Sequence, residues 1–165
     1  MAELDLFVIR HATACERDPA RWEDDCARPL TPEGETEFRK AARGLKAVAP
    51  EMPLVLASPC ARAFLTAQIL MEEAAWPKPQ PIEALRPGID VEALLATFKQ
   101  IPPVERLALV GHDPQLSALC GTLCGGQAIE LKKGGVARLA VHELAPGGAT
   151  LRWILPPKVL RRLKG

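Results

Sequence analysis

The sequence has no apolar run long enough to cross a membrane. A transmembrane helix needs roughly 20 consecutive apolar residues, and no stretch of this chain approaches that length. Two acidic residues, Glu3 and Asp5, interrupt the amino end and argue against a secretory signal peptide. We therefore expect a cytoplasmic protein with no membrane partner.

The sequence also lacks an excess of charge of one sign. It has 21 Lys and Arg residues against 20 Asp and Glu residues, a formal net charge of +1. Such a balance gives no general attraction for nucleic acid, so we expect no nucleic-acid partner. Any attraction for a phosphate group must come from a local arrangement of side chains.

The cysteines are odd in number and suggest no paired framework. We expect free thiols in a reducing compartment. Cys120 and Cys124 lie at helical spacing, but no other metal ligands are nearby in sequence, so we expect no zinc site and no cofactor. The five cysteines are Cys15, Cys26, Cys60, Cys120 and Cys124.

The length and composition are those of one compact unit. The 165 residues are 48% hydrophobic and 25% charged, with no internal repeat and no low-complexity segment. These values predict a single domain over residues 1–165 with a sizeable core.

Two of the three histidines follow short apolar runs. Residues 6–9 read as a buried strand and lead into Arg10 and His11, and residues 107–110 lead into Gly111 and His112. Ligands of parallel sheets lie at the carboxyl edge of the strands. The two histidines are therefore expected to share one crevice.

A third apolar run carries an arginine to the same sheet edge. After residues 54–57 come Ser58 and Pro59, which we expect to cap and to start a helix. Arg62 then lies in the first turn, near the positive end of the helix dipole. Arginine forks bind phosphate oxygens and imidazole can attack phosphorus, so Arg10, His11, Arg62 and His112 predict a phosphoryl site.

These motifs, in this order, resemble those of the histidine phosphatase superfamily. Its members carry Arg-His after the first strand, a later Ser-Pro-x-x-Arg and a second His after a late strand. The stretch 28–34, beginning with Arg28, resembles the arginine-bearing loop and helix cap of its short SixA-type phosphohistidine phosphatases. The likeness spans nearly the whole chain. Ala12 departs from it, because many members have glycine there.

The pattern of elements predicts an α/β fold with a mostly parallel central sheet, helices on both faces and an antiparallel hairpin at one edge. The residues between Arg62 and His112 leave no room for the helical cap of larger family members, so an open pocket with no cap domain is expected. Predicted helices cover 31–48, 59–75, 90–100 and 116–124, and further predicted strands cover 82–85, 136–142 and 149–154.

The expected chemistry is hydrolysis through a phosphohistidine enzyme intermediate on His11. Arg10, Arg28 and Arg62 would hold the phosphoryl oxygens, His112 would be a further donor, and no metal would be required. The candidates for a general acid are Asp25 and Glu83. The expected substrate is phosphohistidine in a protein, such as a histidine-phosphorylated signalling protein, because an open pocket admits a protruding side chain.

Other interpretations stay open. The substrate could be a small phosphorylated metabolite, or the chain could be a non-catalytic phosphoprotein-binding module. Cys15 and Arg21 have the Cys-x5-Arg spacing of cysteine-dependent phosphatases, but the loop has no glycine and holds Glu16, Asp18 and Pro19. Some of these residues also have non-catalytic interpretations. Arg28 could pair with Glu23, Asp24 or Asp25 on the surface. His142 is expected to be structural or exposed, and residues 158–164 are expected to be a solvated helix or tail.

Overall fold

The computed structural model describes residues 2–164, which form six strands, five helices and two short 3-10 turns. The strands are β1 (Leu4–Arg10), β2 (Val55–Ala57), β3 (Gln80–Pro81), β4 (Arg106–Gly111), β5 (Val136–Val141) and β6 (Ala149–Leu155). The helices are α1 (Pro32–Val48), α2 (Ala61–Ala74), α3 (Val91–Phe98), α4 (Gln115–Leu123) and α5 (Pro157–Leu160). The 3-10 turns are Asp25–Ala27 and Glu83–Leu85.

One sheet holds all six strands, in the order β3-β2-β4-β1-β5-β6. The pairs β3-β2, β2-β4 and β4-β1 are parallel, whereas the pairs β1-β5 and β5-β6 are antiparallel. The predicted α/β fold, with its antiparallel hairpin at one edge, is confirmed.

Two apolar clusters cover the two faces of the sheet. Alternate residues of β1 contribute to opposite faces, since Phe7 lies in one cluster and Leu6 in the other. Helices α1, α2 and α5 pack on the first face, and α3 and α4 pack on the second. Helices on both faces leave the strand ends as the place where polar side chains gather.

The helix starts agree with the sequence at α1 and differ at α2. Thr31 caps α1, as predicted, by accepting a hydrogen bond from the N–H of Gly34. Helix α2 begins at Ala61, and its cap position is Cys60, so the prediction that Ser58 caps the helix is wrong. The Ser58 hydroxyl has a different partner, described below.

The predicted strand over residues 82–85 is also wrong. Strand β3 ends at Pro81, and after it the N–H of Ile82 donates to Ala57 in β2. The chain then closes a 3-10 turn in which the N–H of Leu85 donates to Ile82. The turn diverts the apolar residues of this stretch from the sheet ladder into the core.

The basic carboxyl-terminal segment is a short helix with one buried anchor. Leu160 in α5 is 1% exposed, and its carbonyl lies so close to Gly44 of α1 that a methyl group there would overlap it. The expectation of a solvated segment therefore holds for its lysines and arginines but not for Leu160. His142, just after β5, is exposed and pairs with Glu3. Across residues 2–164, we find no helix of sufficient length and apolarity to cross a membrane.

Candidate active site

His11 and His112 meet at the carboxyl ends of β1 and β4. The strands pair in parallel with Arg10 opposite Gly111, and the N–H of His11 donates to the carbonyl of Gly111 at 2.9 Å. The two imidazole ring centres are 5.3 Å apart. The predicted shared crevice is present, because neighbouring parallel strands end at the same edge.

The ring of His11 is neutral and has a defined tautomer. Its Nδ1 lies 2.7 Å from the carbonyl of Ala12, to which it can only donate, so the proton sits on Nδ1 and Nε2 keeps its lone pair. Burial lowers the pKa of His11 to about 4, and the nearby positive charges of Arg62 and Arg10 act in the same direction. At neutral pH the ring is thus an uncharged base with one free nitrogen.

His112 is buried more deeply. Only 2% of its surface is exposed, and its Nε2 lies 2.8 Å from the hydroxyl of Ser58. Burial lowers the pKa of His112 to about 3, and the positive charge of Arg62 makes the next largest contribution in the same direction. Its other nitrogen, Nδ1, has no hydrogen-bond partner within residues 2–164.

Arg28 and Arg62 are held in place by one acidic residue. Arg62 donates to the carbonyl of Asp25 at 3.0 Å and lies 3.2 Å from its carboxylate. Arg28 donates to the same carboxylate at 3.0 Å and to the carbonyl of Cys15 at 2.6 Å. Both arginines are buried, and burial lowers the pKa of Arg62. Fixed guanidinium groups of this kind are suited to binding an oxyanion.

Arg10 is a further cation of this group and is held by different partners. Its guanidinium donates to the carbonyl of Leu131 at 3.0 Å and lies 3.5 Å from the carboxylate of Asp113. The sequence motifs do not include Asp113, although its position directly after His112 at a strand end is a usable signal. Asp113 is itself held by the N–H and hydroxyl of Ser117.

These side chains line a cleft with a volume of about 340 Å³. Five cations and two neutral imidazoles line it, which is the donor set that a phosphoryl group needs. The cleft is lined by Arg10, His11, Ala14, Cys15, Glu16, Arg17, Arg28, Arg62, Pro87, His112, Asp113 and Lys133.

Neither predicted general acid is among the described residues that line the cleft. The hydrogen bond from Arg28 lowers the pKa of Asp25, so its carboxylate is ionised and has no proton to give at neutral pH. Glu83 is exposed and pairs with Arg86. The structure thus gives Asp25 the position of a residue that orients arginines, and gives Glu83 a position outside the cleft.

A disulfide joins the two segments that carry Arg28 and Arg62. Cys26 and Cys60 are bonded, with Cα atoms 4.5 Å apart, and each stands two residues before one of the arginines. The prediction that the cysteines are unpaired is therefore wrong for these two. The 34-residue separation hid the pair, which forms because the turn at Asp25–Ala27 packs against the start of α2.

The side chains of Cys15 and Arg21, which gave the Cys-x5-Arg spacing, contact other groups. The thiol of Cys15 donates to the carbonyl of Leu30, while Arg21 stacks over the ring of Trp22, 4.8 Å from its centre. Residues 16–21 are exposed. Cys15 does lie in the wall of the cleft, but Arg21 does not.

Comparisons with known proteins agree with this geometry. The model of the histidine phosphatase superfamily (branch 1) matches residues 6–86. The phosphohistidine phosphatase SixA of Escherichia coli (strain K12) is 30% identical over 170 residues, covering 98% of this chain and 99% of that protein. An uncharacterized protein of Picosynechococcus sp. (strain ATCC 27264 / PCC 7002 / PR-6) is 34% identical over 141 residues, covering 82% and 84%.

A solved structure extends the likeness to the fold. The protein histidine phosphatase SixA complexed with tungstate superposes with a TM-score of 0.80 at 25% identity, covering 94% of this chain and 99% of that one. Similarity of sequence and of fold, over nearly the full length of both proteins, shows that this chain belongs to the histidine phosphatase superfamily and is a phosphatase of the SixA type.

Proposed function

We propose that this protein removes the phosphoryl group from phosphohistidine in a protein substrate, with His11 as the nucleophile. The observation that carries the proposal is the neutral His11 ring with its free Nε2, set beside three arginines. A lone pair on nitrogen can attack phosphorus, whereas a protonated imidazole cannot. The arginines stabilise the charge that spreads over the phosphoryl oxygens as the bonds change.

The reaction has two displacements. In the first, His11 Nε2 bonds to phosphorus as the phosphorus–nitrogen bond of the substrate breaks, and the released substrate imidazole takes up a proton from water. In the second, water attacks the phosphoryl group on His11, giving inorganic phosphate, the neutral ring again and a proton that replaces the one taken from water in the first step. One water is consumed in total, and Arg10, Arg28, Arg62 and His112 bind the transferred group in both steps.

The open cleft supports a protein substrate. The chain between Arg62 and His112 consists of α2, β3, the turn Glu83–Leu85, α3 and β4, and it contributes one lining residue, Pro87. A phosphohistidine that protrudes from a protein surface can enter a site with so little above it. Protonation of the leaving group is less demanding for an imidazole than for an alkoxide, which agrees with the ionised Asp25.

The relatives support the same substrate class. The Escherichia coli relative is named as a phosphohistidine phosphatase, and the solved neighbour holds tungstate, a tetrahedral oxyanion like phosphate. A non-catalytic phosphoprotein-binding role is disfavoured because the nucleophile, its tautomer and its cationic partners are all present.

The test is a substrate panel assayed with the wild type and His11→Ala. We expect the highest kcat/KM on a phosphohistidine protein, low values on phosphoserine peptides and sugar phosphates, no loss with a chelator, and no turnover by His11→Ala. Enzyme that is denatured during turnover should carry a phosphoryl group on His11, and this group should be labile in acid and stable in base.

His142→Ala, which removes an exposed imidazole, is the matched control and should behave like the wild type. A kcat/KM that is higher on a small alkyl phosphate than on phosphohistidine protein would show that the substrate is a phosphorylated metabolite instead. An intermediate on Cys15 would overturn the mechanism.

A further inference from the structure

Ser58 is a buried residue whose hydroxyl faces the ring of His112. It has no exposed surface, and its Oγ lies 2.8 Å from Nε2 of the histidine. The two residues meet because they follow β2 and β4, which are neighbouring parallel strands. Helix capping does not explain Ser58, since α2 begins three residues later.

The hydroxyl of Ser58 has one proton and a limited choice of acceptors. Its oxygen already accepts the N–H of Cys60 at 3.2 Å. Among the hydrogen bonds of residues 2–164, its one remaining partner is Nε2 of His112. If Nε2 carried a proton and donated it to Ser58, the serine proton would be buried without an acceptor, which is costly.

The arrangement that satisfies both groups has Ser58 donating to an unprotonated Nε2. The ring proton of His112 is then on Nδ1, the buried nitrogen that has no partner within the described chain. His112 also lines the cleft. A neutral ring has a single N–H, so its tautomer determines which of the two nitrogens can donate to a ligand.

We propose that Ser58 is a positioning residue that holds His112 in the Nδ1–H tautomer, so that Nδ1 donates to an oxygen of the bound phosphoryl group. The inference rests on the proposed function for the identity of that ligand. The lowered pKa of His112, about 3, agrees with it because a doubly protonated ring would donate from both nitrogens without help from Ser58.

The tautomer can be measured without a substrate. The chain has three histidines, so nitrogen-15 labelling of histidine gives few ring signals, which the variants His11→Ala, His112→Ala and His142→Ala assign. At neutral pH we expect wild-type His112 to show a protonated Nδ1 and an unprotonated Nε2. In Ser58→Ala the proton should shift to Nε2 in part or in full, and Ser58→Thr should restore the wild-type pattern.

Ser117→Ala is the matched control, since it removes another buried serine hydroxyl, one that bonds Asp113 and not His112. The tautomer of its His112 should stay as in the wild type. A wild-type ring protonated on Nε2, or a Ser58→Ala ring still protonated on Nδ1, would overturn the proposal. The wild-type measurement is decisive even if Ser58→Ala does not fold.

Kinetics provide the second readout. Ser58→Ala should lower kcat/KM about tenfold or more, less than the hundred- to thousandfold typical of losing an oxyanion donor outright. In a His112→Ala background, Ser58→Ala should cause no further loss, whereas full additivity of the two losses would contradict a role through His112.

The two proposals fail in different ways. If His11→Ala kept its turnover, the proposed function would be wrong while the tautomer result stood. If His11→Ala lost its turnover and the tautomer did not depend on Ser58, the function would stand and the role of Ser58 would be wrong.

Discussion

At the residue scale, the cleft depends on cations that are fixed before a ligand arrives. Arg62 is 3% exposed and is tied to the backbone and the side chain of Asp25. A side chain that is already ordered loses little entropy when it binds a phosphoryl group. Arg62 should therefore be worth more to catalysis than a mobile surface cation.

Replacement of Arg62 should nearly abolish activity. We expect Arg62→Ala to lower kcat/KM by about two orders of magnitude or more, the range seen when an oxyanion donor is removed. Arg62→Lys should recover little of the loss, because an ammonium cannot reproduce the guanidinium fork. The measurement is steady-state kinetics on phosphohistidine protein.

The matched control is Arg43→Ala, an arginine of α1 that pairs with Glu73 on the surface. Its kinetics should equal those of the wild type. Near-normal kinetics of Arg62→Ala would remove that residue from the site.

Asp25 allows a second test at this scale. Because its carboxylate is ionised and pairs with Arg28 and Arg62, we expect Asp25→Asn to loosen both arginines and to weaken phosphoryl binding. The loss in kcat/KM should be of similar size for phosphohistidine and for a slow alkyl phosphate substrate. A general acid behaves differently, since its loss would be much greater for the alkyl phosphate, whose leaving alkoxide needs a proton.

At the element scale, the site joins strand ends to one covalently tethered turn. The strand ends place His11 and His112, whereas the turn Asp25–Ala27 reaches the cleft from outside the sheet and is bonded to the start of α2 through Cys26 and Cys60. This turn positions Asp25 and Arg28. Its attachment should therefore affect both stability and phosphoryl binding.

Removal of the disulfide is the test. The double variant Cys26→Ser, Cys60→Ser should lose about 2–4 kcal/mol in the free energy of unfolding, because the unfolded chain gains conformational freedom. Its KM should rise as the turn loosens. A dithiol reductant donates two electrons to the disulfide and is itself oxidised. Treatment of the wild type with such a reductant should have the same effects.

Cys124→Ser, which alters a free cysteine at the end of α4, is the control and should respond to the reductant as the wild type does. Unfolding curves and kinetics with and without reductant give the measurement. A double variant with unchanged stability and unchanged KM would show that the bond does not support the turn.

At the scale of the whole molecule, the buried histidines couple folding to pH. The folded protein lowers the pKa of His11 to about 4 and that of His112 to about 3, mainly by burial, whereas an unfolded histidine has a pKa near 6.5. Between these values the unfolded chain binds more protons than the folded one. The stability that these two histidines contribute is therefore fully present above about pH 6.5 and is lost as the pH falls towards 4 and below.

We expect the free energy of unfolding to fall by about 2 kcal/mol for each of these histidines between pH 7 and pH 5. Urea unfolding at several pH values measures it. His11→Asn and His112→Asn should each reduce the slope with pH. An equal slope in His11→Asn and the wild type would contradict a buried neutral His11.

Much of the fold could be predicted because its signals are local. The apolar runs that became β1, β2 and β4, and the Thr31 cap of α1, depend on neighbours in sequence. The meeting of His11 with His112 was predictable too, since parallel strands share a carboxyl edge. The prediction of a strand over 82–85 was wrong because this stretch forms a 3-10 turn that packs Leu85 into the core.

The rest of the site depended on distances through space. The α/β architecture, and the edge of the sheet at which Arg10, His11, Arg62 and His112 gather, could be predicted because element order and residue type carry that information. Three further features became visible in the folded protein alone: Cys26 bonds to Cys60, Asp25 pairs with two arginines and Ser58 faces His112. Those contacts join residues more than 30 positions apart, except for Asp25 and Arg28, and each arises where a turn or strand end is packed against another element. Spacing along the chain does not specify such packing, because the folded core sets these distances.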